Sequence, residues 1–590
     1  MRRRTSGVLA GLAAACLVLT GCGVGMPDSG PVHETSADGS HRYDGSINIS
    51  PLRPGKGDSP DQIVTGFIEA MRATPPITTS VARQFLTQQA SATWQPTGMV
   101  IYGRVEAPRG NNPQQGVEVT LVDAYRTDRR GAWLGPVPEG DLNVEFPMEI
   151  EDDEYRISQP PPYLIVQQSW FAQRFQRASL YFFDPSATIL VPEPVFVPRG
   201  QQYVSSLVNG LLQPPPPELA GTEESYFPRD LRVLSVPVST SGLARVDLRS
   251  DTVAASVPSP EQVELLVSQL AWTLRQVPTI KRFRVTIDGR PVQLPDEPDF
   301  SVDHGHQYAP YVAGSSTLLF GLQNGLMVGG SPENLAPVTG PFGRAGYSLR
   351  TIAPDLRAEQ VAGVSTAGDT LWVAPVKDNG EQPTEKLTAA EDLLRPVWDF
   401  DGRLWEVDRR KTGAIVYVLD ERTGEMVPVD VDGISGEDVK RYLVSRDGSR
   451  LIAVIRKSAE DDAIVVSRIV TTGNGQVVGA QSAENITDPD NLDGQIRDIA
   501  WRTPTSIAVL QPVNNELFQV RTASVDGAGP LDPLAVIDEP VMGLIGTPDD
   551  DEPTYALIKS DTRTALADLA GPRGERIEID SRLTMLAYVS

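Results

Sequence analysis

Val444-Ser445-Arg446-Asp447-Gly448-Ser449-Arg450-Leu451-Ile452-Ala453-Val454 reads as two strand-like stretches closed by an Asp-Gly turn. Asp-Gly supplies the backbone conformation that a tight hairpin turn needs, so the stretch predicts a β-hairpin. The same order recurs in Val364-Ser365-Thr366-Ala367-Gly368-Asp369-Thr370-Leu371-Trp372-Val373 and in Val397-Trp398-Asp399-Phe400-Asp401-Gly402-Arg403-Leu404-Trp405. A degenerate copy runs Ile499-Ala500-Trp501-Arg502-Thr503-Pro504-Thr505-Ser506-Ile507-Ala508-Val509-Leu510. The turn positions 368, 402, 448 and 504 are 34, 46 and 56 residues apart. Propeller blades repeat at roughly 40–50 residues. Residues 310–590 are therefore expected to form an all-β, propeller-like domain of about five to seven blades. The uneven spacing keeps a pair of β-sandwiches open as the alternative.

Upstream, Tyr203, Val204, Leu207, Val208, Leu211 and Leu212 fall on one helical face, and Pro214 to Pro217 stop that helix. Strands are expected over 231–238 and 244–248. Ser259-Pro260-Glu261-Gln262 is a helix start, with Ser able to cap, Pro suited to the first turn and Gln completing a capping box. Val263, Leu266, Val267, Leu270, Ala271, Leu274 and Val277 mark the buried face, and Phe283 to Ile287 form a strand that turns at Asp288-Gly289. This unit, 191–300, resembles the GerMN domain. The resemblance rests on Tyr203-x-x-x-Leu207-x-x-x-Leu211-Leu212 with Pro214, then Gln269-Leu270-Ala271-Trp272-Thr273-Leu274 leading to Val285-Thr286-Ile287-Asp288-Gly289. It implies an α/β binding or assembly module and carries no catalytic residue.

Residues 59–190 read as an α+β domain. Ser59-Pro60-Asp61-Gln62 opens a helix with Ile63, Val64, Phe67, Ile68 and Met71 on one face, and a second helix is expected from Ser80 to Trp94. Strands follow at 99–102, 117–122, 142–146 and 164–166, which suggests an antiparallel sheet. The order is similar to a nuclear-transport-factor-2-type cone. Residues 22–58, rich in Gly, Ser, Pro and Asp, read as a flexible tether. Before them stand Arg2, Arg3 and Arg4, then an uncharged apolar run, then Leu19-Thr20-Gly21-Cys22. This is a secretory signal over 1–21, and its end resembles the bacterial lipobox. The resemblance implies cleavage between Gly21 and Cys22, with Cys22 carrying an S-diacylglycerol and an N-acyl chain such as palmitate. The apolar run is shorter than the roughly 20 residues needed to span a bilayer. An ordinary signal peptide with an incidental Cys, or an uncleaved anchor, is the other reading.

Cys16 and Cys22 are the only cysteines. Loss of the first and acylation of the second would leave no thiol nucleophile, thiolate metal site or disulfide. Formal charge is −25, and removing three arginines with the signal takes it to about −28, a sign that argues against nucleic acid as a partner. It also leaves membrane attachment to the lipid anchor. The four histidines are His33 and His41 in the tether and His304 and His306 in a linker expected to be solvated. The GerMN-like and propeller regions thus offer no imidazole base, and no nucleophile elbow or Walker loop is present. Acidic runs at Glu151-Asp152-Asp153-Glu154, Glu460-Asp461-Asp462 and Asp549-Asp550-Asp551-Glu552 are expected as solvated loops without EF-hand spacing. Trp372, Trp398, Trp405 and Trp501 are expected in the core rather than on a sugar-stacking surface. No catalytic, cofactor-binding or metal residue is assigned, and the chain is expected not to be an enzyme.

The order of the multidomain chain resembles the LpqB family of actinobacterial lipoproteins. Further matching stretches are Cys22 with Pro27-Asp28-Ser29, Asp61-Gln62-Ile63-Val64-x-Gly66-Phe67, Ala82-Arg83-Gln84-Phe85-Leu86-Thr87 and Leu180-Tyr181-Phe182-Phe183-Asp184-Pro185. The resemblance implies a cell-membrane lipoprotein on the extracytoplasmic face, acting as accessory partner of an Mtr-type sensor histidine kinase in two-component envelope and division signalling. The alternative is a lipoprotein that binds envelope glycan or another cell-wall polymer. A carboxylate-based hydrolase, which needs only Asp and Glu, is the third reading.

Overall fold

The computed structural model describes residues 51–72, 78–106, 116–250, 259–294, 298–344, 346–420, 422–487, 494–514, 516–529, 532–560, 563–571 and 575–589. Gly21, Cys22, His33 and His41 lie outside the described residues, as does the tether up to residue 50. In the first domain the helix Pro60–Ala70 starts as its sequence predicts. Ser59 Oγ accepts from Gln62 N, and Gln62 Oε1 accepts from Ser59 N at 2.8 Å. Its face of Ile63, Val64, Phe67 and Ile68 is buried. Phe67 meets Trp94 at 5.3 Å and Phe146 at 6.1 Å between ring centres. Each such side chain removed from water is worth about 1.5–3 kcal/mol.

Two expectations for this domain change. The helix expected from Ser80 to Trp94 is broken into Thr78–Ala82, a 3-10 turn Arg83–Phe85 and Gln88–Thr93. The break lies where Leu86 is extended and Thr87 donates its N–H to Ile157 O while capping Ala90 N. A tertiary hydrogen bond here outcompetes helix propagation. The sheet is also mixed rather than antiparallel. Met99–Val105 pairs antiparallel with Val117–Thr127 but parallel with Leu164–Gln167.

The strand Phe175–Phe183 pairs along its length with Leu190–Pro198. Its Leu180 and Phe182 join the core built by Leu207, Val208 and Leu211 and by Leu266, Leu270 and Leu274 of the helix Pro260–Arg275. The second unit thus takes in residues from Phe175 rather than starting at 191. The capping box at Ser259 and Gln262 forms as expected. The unit's main sheet runs in the order Leu231–Ser235, Leu243–Ser250, Arg282–Ile287, Arg290–Val292.

Six meanders follow, five of four strands and one of five, each opening with its inner strand, apart from the first. The inner strands are Leu349–Pro354, Val397–Trp398, Val439–Val444, Asp498–Thr503 and Val541–Ile545. The sixth is Leu583–Ala587, which returns to pair with Leu319–Gln323. The last strand of the chain thereby completes the first blade and closes the ring, which leaves few open edges. The result is a six-bladed propeller. Three of the four predicted repeats are the first hairpin of a blade, but 364–373 joins the second and third strands of its blade. The equivalent turn of that blade is Asp355 to Gln360, where Asp355 accepts from the N–H groups of Glu359 and Gln360. This offset is the cause of the short first spacing.

Candidate functional site

Three features in the sequence drew attention as candidate sites, and the structure places each. Trp398, Trp405 and Trp501 are buried. The Trp398 indole donates to Ala353 O at 2.9 Å, and that of Trp501 to Val444 O at 3.2 Å, each tying one inner strand to the blade before it. Trp405 donates to Asp399 Oδ2 at 2.9 Å. These are packing residues; Trp372, half-buried beside Tyr347, is the more open of the four. His304 corrects the expectation of a solvated linker. Its Nε2 lies 3.0 Å from Glu264 Oε2 and its ring meets Phe300, so the segment packs down on the second domain. Among the described residues no group of three His, Cys, Asp or Glu side chains is placed to hold a metal ion.

The acidic runs divide. Asp152 and Asp153 form the turn between Met148–Glu151 and Glu154–Ile157. Asp462 is buried, against expectation, because it pairs with Lys440 at 2.5 Å and accepts from Ile496 N at 2.7 Å. Asp549 to Glu552 lie in the long first loop of the sixth blade. There, crowding by the neighbouring chain and by Asp549 and Asp551 raises the carboxyls of Asp550 and Glu552.

A seam between the second domain and the propeller escaped the sequence reading. Glu193 is almost fully buried, and the fully buried Arg450 donates to its Oε1 and to Pro192 O, the latter at 2.8 Å. Arg468 donates to Glu193 Oε2 at 2.9 Å and to Glu223 Oε1 at 3.3 Å. Burial alone would raise the Glu193 carboxyl, but the two guanidiniums outweigh it and hold it well below the usual range. Glu223 goes the other way, raised well above that range by burial and by the Glu193 charge. Asp447 lies 3.9 Å from Arg450. The first domain joins the second at Gly131, whose O accepts from Phe196 N at 2.8 Å. A Cβ on Gly131 would lie 2.1 Å from Phe196 O, so the approach requires glycine. Trp133, Phe171, Phe175 and Phe196 pack across that junction.

The propeller axis holds a channel of about 410 Å³, lined by inner-strand residues of every blade. At the ends of the inner strands facing the second domain, Arg446 donates to Tyr311 O and Val589 O, each at 3.0 Å. The opposite ends carry Arg350, Arg395, Arg409, Arg441, Asp392 and Asp498. Asp392 accepts from Arg350 at 2.6 Å and from Arg409 Nε at 2.8 Å. Burial would raise its carboxyl, but these two cations hold it below the usual range. Asp498 pairs with Arg441 at 3.3 Å and accepts from Leu544 N at 2.8 Å.

Three family models divide the chain. The N-terminal domain of lipoprotein LpqB matches residues 53–172, the sporulation and spore germination domain matches 179–293, and the LpqB beta-propeller domain matches 325–545. The chain belongs to the LpqB lipoprotein family. Lipoprotein LpqB of Thermobifida fusca is 25% identical across 88% of this chain and 90% of its own length. Lipoprotein LpqB of Mycobacterium tuberculosis is 26% identical across 84% and 86%. The tandem GerMN domains of the sporulation protein GerM from Bacillus subtilis align over 22% of this chain and 46% of theirs, at 20% identity and TM-score 0.19. Relatives of this LpqB-family chain are thus named lipoproteins, and no helix among its described residues is long and apolar enough to cross a membrane.

Proposed function

We propose that this chain is a non-catalytic accessory lipoprotein, held by lipid at Cys22 on the extracytoplasmic face of the cell membrane. There it contacts the sensor histidine kinase of an Mtr-type two-component system. The observation that carries the reading is the seam of Glu193, Arg450 and Arg468. Burying charges between domains is costly unless they are paired and fixed, and here it makes the second domain and the propeller one body. Such a body suits a scaffold that presents a fixed surface to a partner. Anchoring both proteins to one membrane raises their effective concentration without further contacts.

A hydrolase has less support. Glu193, Glu223 and Glu406, the buried carboxyls with large opposite shifts, are walled off by protein, whereas glycoside hydrolysis needs two carboxyls flanking a bound sugar. Binding of a wall polymer stays as the second reading, favoured by the cationic end of the channel.

The test is a membrane pull-down from an actinobacterial host with wild type and Cys22→Ala as baits, probed for the kinase and for wall polymer. Kinase recovered with wild type, and still bound by the unanchored variant when supplied at high concentration, is the expected result. Polymer without kinase would replace this reading with envelope binding.

A further inference from the structure

The main sheet of the second domain has one face on the helices and one face open. Leu231, Ala244, Val246, Leu248, Phe283 and Val285 belong to the core that includes the helix Pro260–Arg275. Side chains alternate along a strand, so the residues flanking these point the other way. On Leu231–Ser235, Leu243–Ser250 and Arg282–Ile287 they include Arg232, Arg245, Arg249, Arg282 and Arg284. Arg232, Arg245 and Arg249 are exposed, and the side chains of Arg282 and Arg284 are 55% and 43% exposed.

The register brings these cations together. Arg245 stands beside Arg284, and Arg232 opposite Arg249. Like charges on adjacent strands repel across a spacing of about 5 Å and weaken a sheet. Two carboxylates share the face. Asp299 pairs with Arg284 at 2.6 Å and lies 3.6 Å from Arg282. Asp247, between Arg245 and Arg249, accepts from Ser235 Oγ at 3.0 Å and from Thr286 Oγ1 at 2.8 Å. Asp288, at the end of the sheet, accepts from Ser250 N at 3.2 Å. A chain of net charge −25 thus gathers arginines on one open face, with like charges as neighbours. Strand and residue spacings make the array about 10 Å by 20 Å, broad enough for a layer of anionic groups rather than one small anion. Leu234, at the register shift of the edge strand, is 56% exposed next to Arg232. Arginine stems beside an exposed leucine suit the boundary between headgroups and acyl chains.

We infer that this sheet face is a second membrane contact, laid on anionic lipid headgroups with Arg245 and Arg249 on its middle strand and Leu234 at its edge. Anionic lipid repels the acidic body as a whole, and this face is where the sign reverses. It therefore sets which way the anchored protein lies. The choice of a bilayer rests on the lipid anchoring proposed at Cys22, and not on the kinase.

Co-sedimentation of the unlipidated mature chain, residues 22–590 with Cys22→Ala, tests it. The vesicles are phosphatidylcholine alone or mixed equally with phosphatidylglycerol. Acylation of Cys22 in the wild type is read separately by mass spectrometry, so failure of the anchor and failure of the face are told apart. Binding to the mixed vesicles only, weakening as salt rises, is expected. Each basic residue at an anionic surface is worth about fivefold in binding, so Arg245→Gln with Arg249→Gln should weaken it by about thirtyfold. The melting temperature of that variant should stay level or rise, because two like-charge neighbours are removed. Arg245→Lys with Arg249→Lys should retain binding. Arg422→Gln with Arg582→Gln makes the same charge change on the propeller, where the two side chains are 72% and 61% exposed, and should leave binding within about twofold. No binding to the mixed vesicles, equal binding to phosphatidylcholine alone, or equal losses in the two Gln variants would overturn the inference. Tighter binding of soluble polyglutamate than of vesicles would also overturn it, and would assign the face to an acidic protein.

Discussion

Replacing Arg450 with Met tests whether the seam holds the second domain to the propeller. The guanidinium is fully buried and donates to Pro192 O, Glu193 Oε1 and Ser449 Oγ. Removing one member of a buried ion pair costs about 3–5 kcal/mol, chiefly because a charge is left unpaired. Here Arg468 still grips both oxygens of Glu193, which places the loss near the lower figure, about 3 kcal/mol. A loss of that size raises the population of the opened seam by about a hundredfold. Amide hydrogen exchange reads this directly. Protection should fall by that factor in the facing strands Leu190–Pro198 and Arg450–Arg456, and remain in the closure strand Leu583–Ala587. Adding Glu193→Gln to Arg450→Met should cost less than the two single changes together, since no unpaired charge remains between them. Protection unchanged within about threefold, or strict additivity of the two changes, would refute the claim that this ion pair is what couples the domains.

Glu223→Gln tests the sign of its shift. A carboxyl raised in the folded state stabilises below its unfolded value and loses that contribution as pH rises through the folded one. Wild type and variant should therefore melt alike near pH 4.5, and the variant should gain on wild type above it, by at most about 1.4 kcal/mol per pH unit; parallel melting curves would contradict the assignment. Trp398→Phe removes the indole donor to the buried Ala353 O. Denaturant titration should show a loss of about 1–3 kcal/mol, and a change below about 0.3 kcal/mol would mean that this bond does not join the blades.

Local chemistry made part of this fold legible. Both Ser-Pro-x-Gln helix starts lie within four residues, and nothing distant competes with them. The hairpin repeat was legible for the same reason, but its frame was not. Any two neighbouring strands of a meander need the same Asp-Gly type of turn, so 364–373 looks like 397–405 although the two join different strand pairs. Only closure by Leu583–Ala587 fixes which strand is innermost, and that pairing spans the whole domain. The seam was hidden by distance, with Glu193 and Arg450 separated by 257 positions. One signal was present. Glu193 is the only charge in Ile189-Leu190-Val191-Pro192-Glu193-Pro194-Val195-Phe196-Val197, and a lone charge in an apolar strand asks for a buried partner.

The two arginine clusters of the propeller have opposite electrostatic logic, and burial decides which is which. At the seam Arg450 and Arg468 face Glu193 and Asp447, and burial together with the Glu193 charge raises the Glu223 carboxyl. Both guanidiniums there are met by carboxylates, as burial away from water requires. At the channel end Arg409 and Arg441, 37% and 47% exposed, pair with Asp392 and Asp498 where water reaches them. Water screens pairs at such an open rim, so they contribute less than buried ones. The same residue type therefore joins domains where it is buried and paired, and contributes little where its pairs face water.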